Sequence, residues 1–146
     1  MAGYLTHGAD VGHWVAAQTD GAYFSDKSQA IGLVRDGELV AGVIYENWNG
    51  KSITCHIAFL GRLSKAFLAL AFRYAFVTCG ASKIIAPVMS DNKAAMRLVQ
   101  KMGFREEARI IDAAPRGDIV LLTMTSHNCR FLRGNYGQER SSTAAG

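Results

Sequence analysis

Gly61-Arg62-Leu63-Ser64-Lys65-Ala66 places a glycine, two cations and a serine between an apolar extended run and an aromatic-rich helical one. A helix starting near Ser64 offers unpaired N–H groups and about half a positive charge, which suits a phosphate or pyrophosphate. Gly61 permits close backbone approach, and Arg62 and Lys65 add positive charge at the mouth. The same residues have an ordinary use, with Ser64 as a helix cap and the two cations in solvent. Glu46 and His56, one on each of two strands predicted to pair beside that crevice, are the candidates for acid–base work. Imidazole ordinarily titrates near neutrality, as a general base must, and His56 alternates with Thr54 and Ala58 on one face. The ordinary alternatives are a hydrogen-bonded histidine on a partly buried sheet face and a solvated carboxylate. Tyr45 and Tyr74 carry hydroxyls, but buried tyrosines usually pack and satisfy one hydrogen bond. Cys55, Cys79 and Cys129 are too few and too scattered for a disulfide framework or a zinc site, and none has the context of a nucleophile. No metal is expected.

The elements that must position these residues follow from pattern and turn chemistry. Gln29 to Arg35 reads as a strand, and Asp36-Gly37 as a hairpin turn. Glu38 to Trp48 is the returning strand, and Asn49-Gly50 turns the chain into a third, Ser52 to Leu60. An aromatic-rich helix spans about Ser64 to Cys79, with Phe67, Leu70, Ala71, Tyr74 and Val77 on one face. Lys83 to Met89 is apolar on both faces, as a covered central strand should be. The stretch Ser90 to Phe104 carries its own start and stop signals. Ser90 or Asp91 can cap it, Ala95, Leu98, Val99 and Met102 form its buried stripe, and Gly103-Phe104 closes it. Two more strands, about Glu106 to Ala113 and Asp118 to Thr125, flank the Pro115-Arg116-Gly117 turn, and Asp10 to Gln18 reads as a short first helix. Asp112, Arg116 and Asp118 are expected to be solvated.

The 146 residues make one domain, 1–133, and the run from Gly134 onward lacks apolar periodicity and reads as a flexible tail, 134–146. With 49% hydrophobic and 19% charged residues, the chain has the composition of a globular protein. No run approaches the roughly 18 apolar residues of a membrane span. The N-terminus shows no secretory signal, so no membrane partner and a cytoplasmic location are expected. The net charge of +4 suits phosphates or acidic ligands without singling out nucleic acid.

The order (helix)-β-β-β-α-β-α-β-β, with N-x-x-A-x-x-L-x-x-x-x-G-F read at Asn92, Ala95, Leu98, Gly103 and Phe104, resembles the GNAT N-acetyltransferase superfamily. The likeness runs from about Gln29 to Thr125. It implies an α/β (α+β) fold: a mixed, mostly antiparallel central sheet with helices on both faces, shortened at the N-terminus. FLALAFRYAF and Cys129-Arg130-Phe131 are also similar to features of small acetyltransferase-like proteins of phages and prophages, which would imply a host cytoplasm.

By that resemblance, Gly61 to Ala66 is the pyrophosphate loop of acetyl-CoA, pattern Q/R-x-x-G-x-G/A, with Gly61 at the first defined position, Ser64 at the second and Ala66 at the third, the last alone matching outright, and Arg62, Leu63 and Lys65 between. Ser64 stands where the family has glycine. Main-chain N–H groups of the preceding strand, His56 through Leu60 and so Ile57, Ala58 and Phe59, would hold the thioester and pantetheine. Asn92 would reach the cofactor or the acyl group, although opening a helix is use enough for it. Val99 occupies the position of the family's frequent acid, a tyrosine, so acid or base must come from His56, Glu46 or water. The implied activity is acetyl transfer from acetyl-CoA to a primary amine, on a small molecule, protein or nucleic acid, in a ternary complex. A phage-type nucleobase-modifying enzyme and a catalytically degenerate binding module keep the same fold, and a homodimer paired through a sheet edge stays open.

Overall fold

The computed structural model describes residues 3–133, and the tail expected at 134–146 lies outside the described residues. Seven strands form one sheet: β1 Tyr4–His7, β2 Gln29–Arg35, β3 Glu38–Glu46, β4 Ser52–Phe59, β5 Lys83–Met89, β6 Arg105–Ala114 and β7 Gly117–Thr125. Their spatial order is β1-β2-β3-β4-β5-β7-β6. Only β4 and β5 run parallel. The helices are α1 Ala9–Gln18, α2 Lys65–Arg73 and α3 Lys93–Met102. The strand β1 was not expected from sequence. It is short, largely exposed and paired only with β2, so it carries no alternating pattern.

Local chemistry sets the hairpins and helix ends. Asp36 (φ 53°) and Gly37 (φ 79°) both adopt positive φ, the type I′ geometry that matches strand twist. Asn92, rather than Ser90 or Asp91, caps α3 by accepting from Ala95 N–H at 3.1 Å. Gly103 (φ 110°) ends it in the left-handed region, and Phe104 N–H returns to the Val99 carbonyl. Beyond Arg73 the second helix widens into a π-helical turn, Tyr74–Thr78. There the buried Tyr45 hydroxyl donates to the Ala71 carbonyl at 2.7 Å, and a side chain entering the helical ladder is a regular cause of such widening.

Helices cover both faces. On one, Val11 and Val15 of α1 pack on Ala30, Ile44 and Ala58. Gly42 lets α1 lie close, since a Cβ there would fall 2.5 Å from Val15 Cγ2. On the other, Phe67, Leu68 and Phe72 of α2 and Val99 and Met102 of α3 share a core with Val43, Tyr45, Cys55 and Ile57. Phe72 contacts the rings of Phe104 and Phe131, which ties the short turn Arg130–Leu132 to α2. Among the described residues, no helix is long and apolar enough to cross a membrane.

Asp112 and Arg116 of the β6–β7 hairpin are exposed, as expected, and Asp118 is half-buried within a surface charge network. Asp118 accepts from Asp112 N–H at 3.0 Å and from Arg109 at 3.1 Å, which holds its carboxyl below the ordinary range. Arg109 lowers Glu106 likewise, and Lys83 with Thr123 lowers Glu107. A depressed carboxylate stabilises the fold above its unfolded pKa, and that contribution disappears as pH falls through the folded value. Acidification from neutrality should therefore lower the denaturation midpoint, and Asp118→Asn should flatten part of the fall. Identical midpoint-against-pH curves for the two proteins would exclude this role for Asp118.

Candidate functional site

The site begins with a broken ladder. Strands β4 and β5 pair at Ser52↔Lys83, Ile53↔Ile84 and Thr54↔Ile85, and then separate while both continue. Pro87 explains the break. Met89 N–H leaves β5 on the β4 side and Ser90 N–H on the β7 side, so by alternation residue 87 is the next that would donate toward β4. Proline has no N–H, so the parallel ladder cannot extend past Ile85. On β4, Leu60 N–H bonds the Val40 carbonyl of β3. The N–H groups of Ala58 and His56 share that direction, and those of Ile57 and Phe59 face the gap.

On the α2 side, beside Phe59 at the end of β4, lies a cleft of about 1070 Å³ between the β4–α2 junction and α3. Gly61 (φ 77°) turns the chain, and Ser64 caps α2 by accepting from Phe67 N–H at 3.1 Å. That bond leaves the N–H groups of Lys65 and Ala66 without a helical partner. Arg62 and Lys65 line one wall, and Ala94, Arg97 and Lys101 on α3 line the other. Among the described residues none of these four cations forms an ion pair.

On the α1 side sits a paired acid and base. Glu46 and His56 are brought together, with Oε1 and Nε2 2.9 Å apart and both side chains largely shielded. A carboxylate can only accept, so Nε2–H donates to it and Nδ1 is left as the lone-pair nitrogen. The segment Thr19-Asp20-Gly21 lies over the ring. A Cβ at Gly21 would stand 2.5 Å from His56 Cγ and 2.8 Å from Nδ1, so only glycine lets the chain pack this closely against the imidazole. Asp20 Oδ2 accepts from Met89 N–H (3.1 Å) and Asn92 Nδ2 (3.2 Å), which anchors the segment across the open end of the gap.

The structure thus gathers Gly61, Arg62, Leu63 and Lys65 at the cleft, with Phe59 at its inner end, and places Glu46 and His56 on the opposite face. Ser64 and Ala66 lie at the start of α2 and also border a smaller hollow beneath β1. The amide of Asn92 is taken up by Ala95 N–H and Asp20. Val99 is 4% exposed, packs in the core and does not border the cleft. Tyr45 is committed to the Ala71 carbonyl, and burial raises its hydroxyl pKa. Cys55, adjacent to His56 but turned beneath α2, is fully buried, which pushes its thiol far above the ordinary range. Sequence reasoning missed Asp20, Gly21, Pro87, Arg97 and Lys101. Of these only Pro87 carried a readable signal, a proline in an otherwise central strand.

A mostly antiparallel seven-strand sheet, covered by helices on both faces and opened at its one parallel pair, is the fold of the GNAT N-acetyltransferases. Among solved structures the chain is similar to a mutant form of the spermidine/spermine N-acetyltransferase SpeG from Vibrio cholerae (TM-score 0.68, 14% identity, 90% of this chain and 98% of that one). It is similar to SpeG in complex with CoA and spermine (TM-score 0.65, 15% identity, 86% and 96%). It is also similar to the Campylobacter jejuni N-acetyltransferase PseH in complex with acetyl coenzyme A (TM-score 0.54, 16% identity, 68% and 69%). No family model and no curated protein matches the sequence.

Proposed function

We propose that the protein is a CoA-dependent N-acyltransferase that moves an acetyl group from acetyl-CoA to a primary amine by direct transfer. One observation carries the reading: the β4–β5 gap lies between a cation-lined cleft at a helix N-terminus on one face and a paired histidine and glutamate on the other. Donor and acceptor can then meet in the gap from opposite sides. The CoA and acetyl-CoA held by solved structures of the same fold support this choice of donor.

The residues divide the work. Gly61 to Ala66, with Arg62 and Lys65, hold the pyrophosphate at the start of α2. The free N–H groups of Ile57 and Phe59 are placed to bond the pantetheine and polarise the thioester carbonyl. His56 removes the proton of the attacking amine, and Glu46 holds the ring and supports the imidazolium that forms. The amine nitrogen bonds to the carbonyl carbon, the C–S bond breaks, and the sulfur leaves with the electron pair. Water supplies its proton, since Val99 has none to give.

Val99 also favours a second reading, a binding module that takes CoA or a related ligand without turnover. Calorimetry with acetyl-CoA and an amine-acetylation assay separate these outcomes. Saturable binding with turnover supports the enzyme, binding without turnover leaves the module, and the absence of binding overturns the donor assignment. Arg62→Glu should weaken acetyl-CoA binding about tenfold or more without unfolding, because a charge-assisted hydrogen bond is worth about 1.5–3 kcal/mol. Unchanged affinity would remove Arg62 from the site.

A further inference from the structure

Arg97 and Lys101 belong to the cleft but not to the pyrophosphate loop. They lie one turn apart on α3, on the face that also presents Ala94, and they look across the cleft toward Arg62 and Lys65. Four cations elsewhere have partners: Lys83 meets Glu107, Arg109 meets Glu106 and Asp118, Arg116 meets Asp91, and Arg130 bonds the Lys101 and Met102 carbonyls. Other described cations, such as Lys51 and Arg73, form no ion pair, but they do not converge on one cavity with further cations. Around the cleft four cations share one cavity without an acid, an arrangement that repels itself until a polyanion enters. Two of the four sit on α2 or just before it and two on α3, so the positive charge is carried by both walls of the cleft. The ligand that fits has two separate anionic groups.

Resting on the reading that acyl-CoA occupies this cleft, we infer that Arg97 and Lys101 form a second phosphate subsite. It reads the 3′-phosphate of CoA, one ribose away from the pyrophosphate, and makes the protein select CoA over 3′-dephospho-CoA. The chemistry is suited to a phosphomonoester. The guanidinium offers a planar fork, the ammonium a compact point charge, and the group they face carries about −1.5 to −2 charges at neutral pH. Ala94, one turn nearer the gap, keeps that end of the wall small and leaves room for the pantetheine arm.

Calorimetry on the intact protein with CoA and with 3′-dephospho-CoA tests this. The parent protein should bind CoA at least tenfold more tightly than the dephospho form. In the double variant Arg97→Gln/Lys101→Gln the two ligands should bind alike, at the level of dephospho-CoA in the parent. Both substitutions lie on the cleft-facing wall of α3, outside its buried stripe, and circular dichroism confirms the fold. Equal affinities in the parent overturn the subsite while leaving CoA in the cleft. Failure of both ligands to bind overturns the reading on which it rests. Discrimination that survives in the double variant assigns the 3′-phosphate to other residues and also overturns the inference.

Discussion

With His56 replaced by alanine, acetyl transfer should fall at least about a hundredfold while acetyl-CoA binding stays unchanged, because a positioned general base contributes roughly 10²- to 10⁴-fold. The expectation follows from the site's division by the sheet. His56 and Glu46 lie on the α1 face, whereas the cationic cleft opens on the other. Truncating the imidazole therefore touches the acceptor side alone. Steady-state kinetics at saturating amine, paired with calorimetry for the donor, reads both halves. The limb of the pH–rate profile that reports the base should also vanish. Glu46→Gln, which still offers Nε2 an acceptor, should cost less than the loss of the ring. Turnover and a pH profile unaffected by His56→Ala would show that the base lies elsewhere.

Valine at Gly21 should be nearly as damaging to turnover, although the residue carries no reactive group. The 2.5 Å between a Cβ and His56 Cγ is about 1 Å short of an ordinary carbon–carbon contact, so ring or loop must move. The loop is not free to lift, since Asp20 ties it to Met89 and Asn92. Displacement then falls on the imidazole and its 2.9 Å bond to Glu46. Misplacement of about 1 Å at a reacting group can cost about 10²-fold. Turnover and thermal stability measured together separate this from general unfolding. Full activity in a folded Gly21→Val protein would mean that the Gly21 loop does not set the ring.

The two cases also mark what the sequence discloses. Where structure is decided by neighbours in the chain, it was legible. Asp36-Gly37 supplied the turn its φ angles demand, Gly103-Phe104 stopped α3, and Ser64 opened α2. Where a side chain was claimed by a distant partner, local rules named the wrong residue. Ser90 looked like a helix cap, but its hydroxyl is taken by Asp118 N–H, and Asp91 pairs with Arg116, so the cap passed to Asn92. The acid–base candidates followed from strand pairing, since a constant register brings Glu46 opposite Thr54 and beside His56. Asp20 and Gly21 gave no such hint, because their partners lie 69 and 72 residues away or on another strand. Arg97 and Lys101 looked like any exposed helix cations until the facing wall of the cleft was known.

The buried thiol of Cys55 bears on durability. On the proposed function, a thioester led between β4 and β5 would pass beside a cysteine of its own host, and thioester exchange requires a thiolate. Enclosed beneath α2, this sulfur is shut away from solvent, and burial disfavours its thiolate. On that function, an acyl group held in the gap would meet no accessible thiolate on that side, which would spare the protein self-acylation.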